Sequence, residues 1–263
     1  MTLVLSSSSS HVQVPHLGRV CHPISSRPLA ITASLLCSHS RSAIDGSPIA
    51  IAEATREDEL WAAAKLRIRS FHNFPSSAYG IEEHRKYLAE REFEAIKQRI
   101  AGTIPAFRQV SCLNATVPLS QLHNKNEGFL SECKYTDEHE DRVVVGTLDI
   151  NQCLRLPDEI TGKRPEGIGS DFARAYLSNV CVAKELHRNG IGKELIAKAK
   201  LVAQEWGISD LYVHVAVDNQ PARNLYDKCG FMYENDEPLW QARHLNRPRR
   251  VLLWMGLPDM KNL

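Results

Sequence analysis

The sequence predicts a single α/β domain built on a mixed sheet, and three observations carry that prediction. Segments with the two-residue period of strands alternate with segments of helical period. Their order is strand, helix, helix, several strands, helix, strand, helix, strand, strand. The chain has 263 residues, 43% hydrophobic and 24% charged, a size and composition that suit one globular core. The first 44 residues stand apart: they hold no Asp or Glu, eleven Ser and four His, with Arg19, Arg27 and Arg41 as their only basic side chains besides His.

That Ser-rich, acid-free start (residues 1–44) has the composition of a cleaved organelle transit peptide, and its few arginines favour a plastid over a mitochondrion. A plain disordered tail is the alternative reading. The apolar stretch Leu29–Cys37 lies too far from Met1 for a secretory signal. The domain proper is then 45–263. The whole chain carries 32 Lys plus Arg against 31 Asp plus Glu, so the part after the leader is slightly acidic. This balance argues against a dedicated nucleic-acid binder. No apolar run approaches the roughly 20 residues that span a bilayer; the longest, Val251–Leu257, is strand-sized. Cys112, Cys133, Cys153, Cys181 and Cys229 are odd in number and form no CxxC pair, so they read as free buried thiols, not a disulfide framework or a metal site.

Along the domain, Ile49–Glu53 reads as a strand. Thr55-Arg-Glu-Asp58 resembles a capping box with Thr55 as the cap. Trp61, Ala64, Ile68 and Phe71 follow at helical spacing. His72–Ala78 is a breaker around Pro75. Glu82–Ile100 is a charged helix with Leu88, Ile96 and Ile100 on one side, and Ala106–Val117 is a strand. Ser120–Arg142 is a polar loop or hairpin, Val143–Cys153 a strong strand, and Leu156–Asp171 a loop rich in Pro and Gly. Tyr176–Val182 is a strand; Ile191, Leu195, Ala199, Val202 and Trp206 mark an amphipathic helix ended by Gly207. Leu211, Val213, Val215 and Val217 alternate as one face of a strand. Pro221–Cys229 is a short helix stopped by Gly230, and Phe231–Glu234 and Val251–Met255 are closing strands. Trp240 and Trp254 are expected to pack at the sheet edge. They bracket a basic cluster, Arg243-His244 and Arg247-Pro-Arg-Arg250, that is either a solvated flank or an entrance attractive to acidic peptides.

Two motifs carry chemistry. His187-Arg188-Asn189-Gly190-Ile191-Gly192 lies between a strand and a helix. Its glycines allow close backbone approach, and the helix start offers unpaired N–H donors and the positive end of a dipole, which together suit a pyrophosphate. A dinucleotide GxGxxG is excluded because position 195 is Leu, and no Walker lysine pattern is present, so the implied phosphate-bearing cofactor is neither NAD nor ATP. About 30 residues on comes Asn219-Gln-Pro-Ala222-Arg-Asn-Leu225-Tyr226-Asp-Lys-Cys-Gly230-Phe231. His214, mid-strand and off the Leu/Val face, is a candidate base because histidine titrates near physiological pH. Glu185 and Asp218, at element ends, are weaker candidates.

Taken together, the two motifs resemble the GNAT acyltransferase superfamily. The first is similar to its (Arg/Gln)-x-x-Gly-x-(Gly/Ala) loop, with His187 departing at the Arg/Gln position. The second is similar to its Asn-x-x-Ala-x-x-Leu-Tyr-x-x-x-Gly-Phe segment. The resemblance follows element order from Ile49 to Leu257 and is sharp from Tyr176 to Phe231. It implies one domain with a mixed, mostly antiparallel sheet and helices on both faces, acetyl-CoA as co-substrate and no metal. It implies that Val180, Cys181 and Val182 line the pantetheine arm, with the Val182 N–H at the thioester oxygen. His187 to Gly192 would hold the pyrophosphate, Asn219 would contact the CoA arm, and Tyr226 would protonate the leaving thiolate. His214-Val-Ala-Val-Asp-Asn219 resembles the strand that bears the catalytic His of protein N-terminal acetyltransferases, and Tyr176 falls where those enzymes place a catalytic Tyr. The stretch Leu177–Glu185 with Leu186-His-Arg-Asn-Gly190 behind it, and the tail Glu237-Pro-Leu-Trp-Gln-Ala-Arg243, resemble the plant plastid branch of dual lysine and N-terminal α-amino acetyltransferases. The expected substrates are therefore protein or peptide amines, acetylated by direct attack. A small-amine transferase and an acetyl-CoA-binding regulator without turnover are the alternatives, the latter supported by His187 alone.

Overall fold

A computed structural model describes residues 43–44, 47–74, 80–104, 107–122, 127–138, 140–153 and 173–258. The expected loop Leu156–Asp171 and part of the breaker around Pro75 lie outside these residues. Arg41–Leu263 gather into one compact unit.

A two-residue ribbon pairs β1 (Ala43–Ile44) with β2 (Ser47–Pro48). The main sheet has eight strands. It begins with β3 (Ala50–Glu53), followed in sequence by α1 (Glu57–Phe71) and α2 (Ile81–Ile100). Next come β4 (Phe107–Pro118), α3 (Glu127–Glu132), β5 (Lys134–Asp137), β6 (Glu140–Cys153) and β7 (Arg174–Val182). The rest of the chain adds α4 (Ile191–Glu205), β8 (Asp210–Ala216), α5 (Gln220–Lys228), β9 (Met232–Asp236), α6 (Leu239–His244) and β10 (Arg250–Gly256). The spatial order is β3-β4-β6-β7-β8-β10-β9, with β5 attached to β6. Within it only β7 and β8 run parallel. The sheet is mixed and mostly antiparallel, as expected.

The two-residue alternation of β6 explains why helices cover both faces. Gly146 faces α4, where an added Cβ would come within 2.9 Å of Leu195 and 3.0 Å of Ile191. Thr147 and Asp149, on the opposite face, meet Arg67 of α1. Leu148, Ile150, Leu177 and Leu195 are fully buried between these layers, each stabilising the fold by about 1.5–3 kcal/mol.

Several local expectations change. Thr55 is not the cap of α1: the N-cap is Arg56, with no side-chain capping bond. The Asp58 carboxylate instead accepts from the Glu59 N–H at 3.0 Å. Helix α1 buries far more than one stripe, because α2 and the sheet enclose it; Leu60, Ala63, Leu66 and Arg67 are buried, whereas Phe71 at its end is 51% exposed. Ile100, at the end of α2, is also exposed. Of the two readings of Ser120–Arg142, loop or hairpin, the hairpin holds, since β5 pairs with the start of β6, and the short helix α3 is added ahead of it. Residues 239–244 form a helix that lifts Trp240 off the sheet edge, leaving it 69% exposed. Trp254 does pack on the sheet, beside Tyr212 and Leu252.

Candidate active site

The site begins where two strands part. Strands β7 and β8 pair from Arg174↔Asp210 to Leu177↔Val213, and pairing stops there although both strands continue. The cause lies in β7. Between Cys181↔Thr147 and Ser178↔Asp149, β7 uses three steps where β6 uses two. Such a bulge bends its strand. Asn179, inside it, has φ +54°, a left-handed conformation that Asn tolerates better than most residues. Beyond the bulge the Ala183 N–H bonds the Val145 carbonyl at 2.9 Å. By antiparallel alternation the Val182 N–H then points away from β6, into the gap between β7 and β8.

The gap leads to the start of α4. His187 donates from Nε2 to the Val182 carbonyl at 3.0 Å, so its side chain folds back onto β7. Asn189 Nδ2 bonds the Leu186 carbonyl at 3.1 Å. Arg188 and Gly190 both have positive φ, +68° and +79°. Gly190 is the N-cap of α4 without a side-chain cap, and the first intrahelical bonds run from Lys193 and Glu194 to Gly190. The amides of Ile191 and Gly192 thus lie ahead of the hydrogen-bonded ladder, at the positive end of a 15-residue helix. Gly192 lets α5 approach: a Cβ there would come within 2.9 Å of Leu225. Asn219 caps α5, its Oδ1 accepting from the Ala222 N–H at 3.1 Å. These donors and this open strand edge fit a pyrophosphate joined to a polyamide arm.

At the closed end of the gap, register brings two predicted residues together: the Tyr176 hydroxyl lies 3.1 Å from His214 Nδ1. Tyr176 sits one register step before the last β7–β8 pair, and His214 one residue after it. Burial, assisted by the Arg250 guanidinium, pulls the His214 imidazole down to about 3, Glu237 opposing. His214 is therefore neutral at pH 7, not poised near it. Tyr226, on α5, is buried and stacks edge-on against Phe231 at 5.5 Å. Burial raises its phenol, and Tyr176, Cys229 and Cys181 act on it in the same direction.

The other candidates are drawn elsewhere. Glu185 is ion-paired to Arg69 of α1. Asp218 is exposed in the turn after β8. The basic cluster divides: Arg243 and His244 are exposed, as a solvated flank would be, whereas Arg247 and Arg250 both pair with the buried Glu237 and Arg249 lies 3.0 Å from Asp236. Cys181 is buried, and burial raises its thiol to about 11. Cys112, Cys133, Cys181 and Cys229 are free and buried. Among the described residues no group of three or more His, Cys, Asp or Glu could hold a metal ion.

Sequence reasoning missed a buried charge network beneath the site. Arg67 bonds both carboxylate oxygens of Asp149 (2.6 and 3.0 Å), Glu92 (3.0 Å) and Thr147 (3.0 Å), and Arg99 reaches Asp149 at 3.2 Å. Burial alone would raise the Asp149 carboxyl, but Arg67 and Arg99 outweigh it and hold it below the usual range. Asn179 Nδ2 donates to the same carboxylate at 2.8 Å. The available signal was a polar residue at every second position of two core strands.

Residues 71–231 match the model of the acetyltransferase (GNAT) family. Over 252 residues the chain is 58% identical to GCN5-related N-acetyltransferase 7, chloroplastic, of Arabidopsis thaliana, spanning 96% of this chain and 89% of that protein. It is 32% identical over 187 residues to GCN5-related N-acetyltransferase 6, chloroplastic, of the same plant, spanning 68% and 60%. Among solved structures, the ribosomal-protein-S18-alanine N-acetyltransferase from Escherichia coli is similar with a TM-score of 0.46 at 16% identity, over 82% of this chain and 98% of that one.

Proposed function

The chain belongs to the acetyltransferase (GNAT) family, and from that premise we propose that it moves an acetyl group from acetyl-CoA to protein N-terminal α-amines and lysine ε-amines. The observation that carries this reading is the gap between β7 and β8, closed at one end by Tyr176 and His214 and open at the other onto the uncapped start of α4.

In this reading acetyl-CoA, when bound, supplies the activated thioester. Val180, Cys181 and Val182 hold its arm by backbone hydrogen bonds, as an added strand would. The amides from Arg188 to Gly192 bind its pyrophosphate, while His187, folded onto Val182, shapes the loop. Because the Asn219 Oδ1 is engaged as a helix cap, its amide nitrogen is the group left for the CoA arm. The Val182 N–H stabilises negative charge on the thioester oxygen.

The acceptor amine, with a pKa of about 8 for an α-amine and about 10.4 for Lys, must lose a proton. His214, unprotonated at neutral pH, accepts it. A proton resting on so weak a base is uphill, so the Tyr176–His214 pair would pass it to solvent water instead of storing it. Tyr226 would enter each turnover protonated, give its hydrogen bond and then its proton to the leaving sulfur, and regain a proton from solvent water as the thiol product departs. Attack is direct: Cys181, the thiol nearest the gap, is held as the neutral form by burial. Residues 1–44 are proposed as a plastid transit peptide, in keeping with the chloroplastic naming of the Arabidopsis relatives.

The test is to incubate the protein lacking residues 1–44 with acetyl-CoA and a mixed peptide library, then map acetylated positions by mass spectrometry. Acetylated N-termini and lysines are expected. Turnover of small amines with no peptide product would replace this reading with a small-amine transferase. Acetyl-CoA binding without turnover of any amine would leave a regulator.

A further inference from the structure

We infer that helix α1 braces the donor strand, holding the segment Asn179–Leu186 at two points and so setting the opening between β7 and β8. Its consequence for CoA rests on the donor-site reading above.

Two side chains on one turn of α1, Arg67 and Arg69, reach toward β7 and the turn at its end. Arg67, buried, grips Asp149 with both guanidinium nitrogens, and Asp149 in turn accepts from Asn179 at 2.8 Å. Asn179 is the left-handed residue of the bulge, so this chain of bonds ends on the residue that turns β7 away from β8. The strand before the bulge is pinned separately: Asn151 Nδ2 bonds the Tyr176 carbonyl and the Ser178 hydroxyl, each at 3.0 Å. Arg69 pairs with Glu185, in the short turn that joins β7 to the Arg188–Gly192 loop, and is itself steadied by Glu132 at 3.5 Å and by the Phe129 ring at 5.6 Å. One rigid helix thus ties down the bulge and the exit of the segment. On its β8 side this stretch has no strand partner, so apart from the β6 ladder at Cys181, Val182 and Ala183 its position is set by these contacts from the helix. Because α2 shares Arg67 through Glu92, and contributes Arg99 to Asp149, both helices bear on the same bulge.

Arg69, Asn179 and Arg67 are therefore positioning residues, and the test separates a brace from general stability. Arg67→Ala would strand the buried Asp149 charge, so two milder variants serve. Arg69→Gln removes the pair with Glu185; Asn179→Gly keeps the left-handed backbone and deletes the amide. In the unliganded protein, hydrogen exchange of the amides from 179 to 187 should quicken about tenfold in either variant, with α4 and β10 unchanged. The dissociation constant of CoA, measured by calorimetry, should rise about tenfold, while KM for the acceptor peptide at saturating acetyl-CoA stays within about twofold. Arg69→Lys should restore most of the affinity, and R69Q combined with E185Q should bind no more weakly than either alone. Unchanged exchange in both folded variants, or acceleration spread evenly over the sheet, would overturn the brace. Wild-type protein that fails to bind CoA would overturn the donor-site reading instead, and the exchange measurement would still decide the brace.

Discussion

Tyr226 and His214 show how far a residue's place in the fold resets its chemistry. Burial raises the phenol of Tyr226, so it starts each turnover protonated, as the proposed role of donor to the leaving sulfur requires. Tyr226→Phe should lower kcat by about 100-fold, the lower end of what a positioned general acid contributes, while the CoA dissociation constant measured by calorimetry moves by less than about threefold. Activity at the wild-type level would remove Tyr226 from the mechanism. His214 was readable in the sequence as a polar residue on the far side of an apolar strand face, but its titration was not. The groups facing it, Arg250, Arg247 and Glu237, arrive from a connection more than twenty residues later. With the imidazole near 3, His214→Ala should lower kcat/KM by the same factor at pH 6 and pH 8. A loss that grows toward pH 6 would mean that His214 titrates there after all.

The elements tell a parallel story, with the approach of α4 to β6 as the sharpest constraint. Gly146 faces Val182 across the sheet, and a Cβ on it would meet Leu195 at 2.9 Å and Ile191 at 3.0 Å. Both neighbours are fully buried, with little room to turn. Gly146→Ala should destabilise the domain by about 1–3 kcal/mol in a urea titration, and because Ile191 opens α4, it should also raise KM for acetyl-CoA. Adding Leu195→Ala should recover part of the stability; no recovery would point to a different clash. The strand–helix order and the start of α4 were legible because they are written locally, in period and in glycine spacing. What escaped was written between elements. Asn114, Thr147, Asp149 and Asn151 alternate along β4 and β6 as if one face met water. That face is instead covered by α1 and α2, whose Arg67, Glu59 and Arg99 meet Asn114, Thr147 and Asp149, while Asn151 bonds strand β7. The bulge in β7 was illegible for the same reason: Asn179 reads as an ordinary strand residue until Asp149 is placed beneath it.

At the scale of the molecule, this buried chemistry makes stability depend on pH with a definite sign. Asp149 and Glu237 have lowered carboxyl pKa values: burial opposes the shift, and their arginine partners outweigh it. Their stabilisation is complete above the unfolded value of about 4 and is lost as pH falls through the folded one. His214 works in the same direction over a higher window. Unfolded, it binds a proton near pH 6.5; folded, not until about 3. Protons therefore favour the unfolded chain from about pH 6.5 downward, and by pH 4.5 this one residue costs about 2–3 kcal/mol relative to pH 7.5. Glu59 has the opposite sign, since burial raises its carboxyl despite the bond from Asn114, so its contribution grows as pH falls toward 4. The sum is an acid-labile domain whose losses between pH 6.5 and 4.5 belong chiefly to His214, with a smaller share from His72, which burial also lowers, because Asp149 and Glu237 titrate below this window and Glu59 acts with the opposite sign. Urea midpoints at half-unit pH steps should show this, and His214→Gln, which keeps a hydrogen-bonding group beside Tyr176, should flatten the profile in that window alone. A variant as steep as the wild type there would show that the imidazole is protonated in the folded protein, and its part in proton transfer would need to be assigned to another group.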